Sequence, residues 1–169
     1  MVDGYGPLNL KDIKITDSLF GSYLKLVNEK MIPYQWDILN DRVKDAIPTH
    51  CIDNFRIAAG EMKGEISGVV FQDTDLYKWI EAVAYSIWNG SDNKFEKTVD
   101  EVIDLIGRAQ QQDGYLNTYF TVKEPDKRWT NLVEGHELYC SGHLIEAAVA
   151  YFLATGKTTL LDIARKNAD

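Results

Sequence analysis

The sequence is poor in cysteine and has no long apolar run, and both shortages exclude classes of protein. Two cysteines in 169 residues, Cys51 and Cys140, are too few for a disulfide framework or a zinc ribbon. No stretch approaches the roughly 20 apolar residues of a membrane-spanning helix. The N-terminus lacks a basic segment followed by an apolar run. We therefore expect no signal peptide, and a reducing, cytoplasmic setting is the default.

Basic residues are also in the minority. The chain has 18 lysines and arginines against 26 aspartates and glutamates, which gives a net charge of -8. Nucleic acids and anionic membrane surfaces both require a basic face, so we expect neither as a partner. The hydrophobic fraction of 45% is ordinary for a globular protein, and the length is sufficient for one domain with a core.

Apolar residues recur at helical spacing through most of the chain. Asp17, Pro33 and Gly156 supply signals that start or end helices. Short turns separate the periodic segments, so the sequence predicts an all-α fold of antiparallel helix hairpins in series. The predicted helices run from Leu19 to Met31, Asp53 to Met62, Leu76 to Ile87, Phe95 to Ala109, roughly 132 to 154, and onward from Thr158 or Thr159.

The two ends of the chain differ from this pattern. Residues 1–15 are typical of an extended N-terminal segment that could contain an edge strand, and residues 16–169 form the predicted domain. The last helix has no stop signal, so we expect the chain to be truncated. Its apolar face would then lack a neighbour, which predicts self-association through this C-terminal face or fraying beyond Gly156. That face comprises Leu160, Leu161, Ile163 and Ala164.

The helix predicted at 132–154 carries two of the three histidines. His136 and His143 lie two turns apart, roughly 10.5 Å along the axis, which is too far for an ordinary shared zinc ion. His136 and Cys140 have the spacing of a metal pair, but two more ligands are missing and Cys140 suits a small buried filler. We therefore expect no metal site in this chain. The predicted core stripe is Leu138, Gly142, Ile145, Val149 and Phe152, beside a second stripe of His136, Cys140, His143 and Ala147.

Polar residues at helix starts are the best candidates for binding. The positive end of a helix keeps an imidazole such as His136 neutral, although the residue could instead bond a backbone carbonyl. For His143, in mid-helix, a purely structural role has the stronger claim. Asp73 could cap the helix that follows it or face a pocket.

Four segments resemble one family. Ile32–Trp36, Val70–Trp79, Ala109–Leu116 and Gly135–His143 are similar, in order, to the N-terminal part of glycoside hydrolase family 127, the β-L-arabinofuranosidases. The resemblance spans about residues 10–169. It implies that the chain is part of an (α/α)6 barrel, and it implies His136, Phe71, Asp73 and His143 as residues that line the sugar pocket.

The same resemblance implies a retaining mechanism with a cysteine nucleophile, a glutamate acid/base and a zinc ion held by cysteines and a glutamate. No vicinal cysteine pair is present, so no catalytic residue is expected in this chain, and zinc is expected only in a full-length enzyme. The substrate class would be an arabinose-containing saccharide. Two alternatives remain open: a non-catalytic helical interaction module, or a different (α/α)6 glycosidase or lyase with Asp73 as general acid.

Overall fold

A computed structural model describes residues 9–90 and 94–169. This part of the chain contains eight α-helices and no strand, so the all-α prediction is confirmed. A π-helical turn at Val27–Met31 joins the first two helices, and short 3-10 turns lie at Leu10–Asp12 and Pro125–Lys127. The helices are α1 (Ser18–Leu26), α2 (Ile32–Leu39), α3 (Cys51–Ala58), α4 (Asp73–Trp88), α5 (Glu96–Ala109), α6 (Thr118–Val122), α7 (Glu137–Thr155) and α8 (Thr159–Ala168).

The sequence signals at the helix ends act as expected at three positions. Asp17 accepts a hydrogen bond from the backbone N–H of Phe20 (2.8 Å) and caps α1. Pro33 lies in the first turn of α2, and Gly156 ends α7 with a left-handed φ of 79°. Residues 9–15 contain no edge strand, because the Asn9 side chain accepts from Lys11 N–H and closes a turn there. The rest of the predicted N-terminal segment, residues 1–8, lies outside the described residues.

The long helices form two parallel pairs. Lys78, near the start of α4, bonds Tyr139, near the start of α7, so these helices run side by side in one direction. Helices α5 and α8 also run together: Lys157, before α8, bonds Asp100 near the start of α5, while Gln110, after α5, bonds the carbonyl of Ile163. Tyr151, late in α7, bonds Asp100 near the start of α5, and Ser141, early in α7, bonds Asn167 near the end of α8. Helix α7, and α4 parallel to it, therefore run opposite to α5 and α8, so α4–α5 and α7–α8 are antiparallel hairpins.

The predicted core stripe of α7 was wrong, because the helix buries a different face. Leu138 is 60% exposed and Val149 is 41% exposed. The face that packs against α4 carries small side chains, which allow the two helix axes to approach closely. Helix α7 is thus apolar on a second, uncovered face. Its buried residues are Glu137, Cys140, Leu144, Ala147, Ala148, Ala150, Tyr151 and Ala154; its exposed apolar residues are Leu138, Ile145, Val149, Phe152 and Leu153. No helix in the described ranges is both long and apolar enough to cross a bilayer.

The expected exposure of the C-terminal helix was also wrong. Leu160, Ile163 and Ala164 are buried, and Leu161 is partly buried. Helices α5 and α7 together form the cleft that receives them, so α8 needs no further neighbour to cover this face. The Asn167 side chain also donates to the carbonyl of Gly114 (3.2 Å).

The Asp113–Gly114 turn places a glycine directly against α8, which yields a test of that packing. A Cβ on Gly114 would lie 2.0 Å from the carbonyl oxygen of Lys166, whereas a Cβ on Gly156 would have no atom within 4 Å. Both glycines have positive φ values, so both Gly→Ala variants share the conformational cost. We expect Gly114→Ala to lower the free energy of unfolding by at least about 2 kcal/mol more than Gly156→Ala, because the backbone must also shift. Urea unfolding measures both values, and equal losses would contradict the docked position of α8.

Candidate functional site

Two buried carboxylates lie at the starts of the parallel helices α4 and α7. Asp73 is 2% exposed and accepts hydrogen bonds from the N–H (2.8 Å) and the hydroxyl (2.6 Å) of Thr118. Glu137 is also 2% exposed and accepts from the Trp129 N–H (2.8 Å) and the Tyr115 hydroxyl. The positive ends of both helices further stabilise these charges. The segment 115–129 is thereby tied to both helix starts.

Asp73 lies behind the surface that the other predicted site residues share. Burial raises the pKa of its carboxyl to about 6, against the opposing effect of its two hydrogen bonds from Thr118. Both carboxylate oxygens already have protein donors. The geometry gives Asp73 a tethering role, and its predicted contact with a sugar stays a prediction.

His136 has a left-handed backbone conformation, with φ of 52°, directly before α7. The preceding residue must be a glycine for the backbone to pass this close to Asn131, because a Cβ on Gly135 would lie 2.7 Å from the Asn131 carbonyl oxygen. Helix α7 begins later than predicted, because residues 131–135 form a turn. Gly135 N–H donates to the Asn131 carbonyl, and Glu134 N–H donates to Asn131 Oδ1. His50 has the same left-handed conformation (φ 54°) directly before α3, so this backbone geometry sets the entry to a helix and does not by itself mark a site.

Four rings form a continuous row across the starts of α4 and α7. Phe71 lies edge-on to His136, with ring centroids 5.0 Å apart. Tyr139 follows at 6.0 Å from His136, and His143 lies 4.5 Å from Tyr139 at an interplanar angle of 89°. We call Phe71, His136, Tyr139 and His143 the aromatic row. Three of the four residues predicted to line a site are thus brought together, and Asp73 is the exception.

Sequence reasoning missed Tyr139, Lys78 and Glu137. Lys78 Nζ donates to the Tyr139 hydroxyl (2.6 Å) and lies beside the Thr74 hydroxyl (3.4 Å). This places a cation next to the aromatic row. Tyr139 follows His136 by three residues and so shares its helix face, a spacing that could have identified it. The burial of Glu137 depends on Tyr115 and Trp129, which are distant in sequence, so no local pattern indicated it.

The cysteines do not fit the zinc site that the resemblance implies. The Cys51 thiol lies 3.6 Å from the carbonyl oxygen of Gln72, and the Cys140 sulfur lies 3.7 Å from Asn117 Nδ2. Burial raises the pKa of both thiols, which favours their neutral form. Within residues 9–90 and 94–169, the single group of three ligand-type side chains that could share an ion includes neither cysteine.

Comparison with known proteins relates this arrangement to enzymes. A model of the β-L-arabinofuranosidase GH127 catalytic domain matches residues 12–169. The chain is 38% identical, over a 174-residue alignment, to a non-reducing end β-L-arabinofuranosidase of Bifidobacterium longum subsp. longum. That alignment covers 94% of this chain and 26% of the relative.

Two solved structures share the fold at high similarity. Ara127N, a GH127 β-L-arabinofuranosidase from Geobacillus stearothermophilus T6, superposes with a TM-score of 0.91 at 59% identity, covering 94% of this chain and 25% of that one. A second GH127 β-arabinofuranosidase gives a TM-score of 0.86 at 36% identity, covering 96% of this chain and 26% of that one.

These enzymes have an (α/α)6 barrel, and the helix hairpins described here match one part of that barrel. The chain belongs to the GH127 β-L-arabinofuranosidase family. It spans about a quarter of the length of the relatives that it matches.

The raised pKa of Asp73 predicts a specific dependence of stability on pH. The folded-state pKa of about 6 lies above the ordinary value of 3.8, so the folded chain binds more protons between these values. The wild type should therefore lose stability relative to Asp73→Asn as the pH rises from about 4 to about 6, by roughly 3 kcal/mol in all. The Asp73→Asn variant also loses one hydrogen bond that the carboxylate accepts. This loss is the same at every pH, so it does not change the slope of the unfolding free energy against pH.

Urea unfolding of wild type, Asp73→Asn and the exposed control Asp126→Asn across this range measures the effect. The control should show no comparable difference in slope. A constant offset between wild type and Asp73→Asn at every pH would contradict the raised pKa.

Proposed function

We propose that the protein to which this chain belongs cleaves terminal β-L-arabinofuranosides. The match to the GH127 catalytic domain over residues 12–169 carries this proposal. The substrate follows from the relatives, one of which is a non-reducing end β-L-arabinofuranosidase. An arabinose-containing saccharide is thus the proposed partner, and its metabolism the proposed process.

The aromatic row supplies the proposed contacts to the sugar. The partly exposed side chains of Phe71 and Tyr139 offer apolar surface to the C–H groups of a sugar ring, and the His136 imidazole offers a hydrogen bond to a hydroxyl. Lys78, which bonds Tyr139, places a further donor at the same surface. His143 lies at the far end of the row, beside Tyr139.

The bond-cleaving residues are proposed to lie in the remainder of a full-length chain. The resemblance implies a cysteine nucleophile, a glutamate acid/base and a zinc ion. Cys51 and Cys140 are poor candidates for the nucleophile because both are buried and burial favours the neutral thiol. Asp73 is a poor candidate for a general acid, since the protein encloses it and Thr118 occupies both of its oxygens.

A cytoplasmic location is also a proposal. Cys51 and Cys140 are both free thiols, which a reducing compartment preserves.

The uncovered face of α7 is the proposed contact surface for additional helices. In a chain as long as its relatives, further hairpins of the barrel would pack against Ile145, Val149 and Leu153. In the 169-residue chain, we expect self-association through this face instead of through α8, whose apolar residues are already buried.

Light scattering across a range of concentrations tests the self-association. The wild-type chain should exceed the monomer mass, and the double substitution Val149→Glu with Leu153→Glu should shift it towards the monomer, because two charges would have to be desolvated in the contact. Val133→Glu, which adds a charge at a position that is 76% exposed outside α7, serves as control. If the wild-type chain is monomeric at every concentration, the proposed self-association through α7 is wrong.

Activity measurements test the proposed function. The 169-residue chain should not hydrolyse an aryl β-L-arabinofuranoside. A longer protein that contains this chain and matches its relatives in length, here called the extended enzyme, should hydrolyse it. In the extended enzyme, His136→Ala should reduce kcat/KM by an amount equivalent to about 2–4 kcal/mol, the range for loss of one preorganised donor.

His50→Ala is the matched control, since this imidazole pairs with Asp41 and belongs to none of the site contacts. An extended protein that binds arabinosides without cleaving them would favour the interaction module. Hydrolysis by the 169-residue chain itself would contradict the proposal that the bond-cleaving residues lie outside it. An unchanged kcat/KM in His136→Ala would show that His136 does not contact the sugar.

A further inference from the structure

Three side chains from the parallel helices α4 and α7 converge beyond the end of the aromatic row. Glu81 comes from α4, and His143 and Glu146 come from α7. One potential ligand atom from each lies within 4.8 Å of the other two. The closest approach is 2.9 Å, between His143 Nδ1 and a carboxylate oxygen of Glu146. We call these three residues the Glu–His–Glu cluster.

The cluster has an unsatisfied nitrogen and an excess of negative charge. His143 Nδ1 is buried and has no hydrogen-bond partner, although it lies 2.9 Å from a carboxylate oxygen of Glu146, a side chain that is 60% exposed. Among residues 9–90 and 94–169, no lysine or arginine forms an ion pair with Glu81 or Glu146. Two carboxylates thus lie beside one imidazole, and neither is paired with a lysine or arginine in this part of the chain.

A neighbouring ring holds the histidine of the cluster in place. The His143 ring packs edge-on against Tyr139 at 4.5 Å, which restricts its rotation. Packing of this kind orients the ligands of metal sites and contributes to affinity.

We propose that the Glu–His–Glu cluster binds a divalent transition-metal ion, with Zn²⁺ as the best fit. Imidazole and carboxylate ligands together suit zinc, and three protein ligands leave a fourth position for water. Tetrahedral zinc with bonds of about 2.0–2.2 Å requires ligand atoms about 3.3 Å apart. The observed separations are at most 4.8 Å, so rotations of the glutamate side chains suffice to close the site.

This site shares only His143 with the aromatic row, and it is distinct from the cysteine-held zinc that the resemblance implies. It uses no cysteine, and all three of its side chains come from helices α4 and α7 of this chain. The three-residue step from His143 to Glu146 places both side chains on one face of α7, and the parallel packing of α4 brings Glu81 to that face. A simple ion pair between His143 and Glu146 is the competing explanation.

Zinc titration of the 169-residue chain by calorimetry tests the proposal, with Co²⁺ absorption as a second readout. We expect one Zn²⁺ per chain, and we expect His143→Gln, Glu81→Gln and Glu146→Gln each to weaken binding by at least about tenfold. These substitutions conserve size, and circular dichroism checks that each variant folds. His50→Gln and the exposed Glu101→Gln, which remove an imidazole and a carboxylate elsewhere, should bind as the wild type does.

Three results would overturn the proposal. The first is the absence of saturable Zn²⁺ binding tighter than about 100 μM, or about 5.5 kcal/mol of binding free energy. The second is wild-type affinity in Glu81→Gln, because the ion-pair explanation does not require that residue. The third is an equal loss of affinity in His50→Gln, which would place the ion elsewhere.

Discussion

The arrangement of this chain depends on two buried carboxylates that must find donors. Asp73 and Glu137 open the parallel helices α4 and α7, and an unpaired buried carboxylate would cost several kcal/mol. Thr118 satisfies the first, while Tyr115 and Trp129 satisfy the second. One connecting segment therefore fixes the starts of both helices. The position of His136, directly before Glu137, follows from this tether.

The parallel packing of α4 and α7 then creates the surface where chemistry is concentrated. Small side chains such as Ala147 and Ala148 let the two helices approach closely. Residues near their starts consequently meet across the interface, as Lys78 and Tyr139 do. The aromatic row and the Glu–His–Glu cluster occupy successive turns of the same helix pair and share His143. The proposed sugar surface and the proposed ion site are thus neighbours that have only His143 in common.

Helix α7 also explains how a quarter-length chain can have a well-packed core. Its small-residue face is buried against α4, and α8 is seated between α5 and α7. The opposite apolar face, which includes Val149 and Leu153, has no cover in the described structure. GH127 enzymes have an (α/α)6 barrel, which is why we propose this face as the contact surface for further barrel helices in a longer chain.

The sequence by itself determined the all-α class, most helix positions and the family, because helical periodicity, capping residues and short motifs are local properties. It also selected Phe71, His136 and His143, which lie together in the fold. Tertiary structure alone decided which face of α7 is buried, since that helix is apolar on two sides and only the closer packing of small residues selects one. The same reason applies to the Glu–His–Glu cluster: Glu81 lies 62 positions before His143, and only the packing of two helices brings them together.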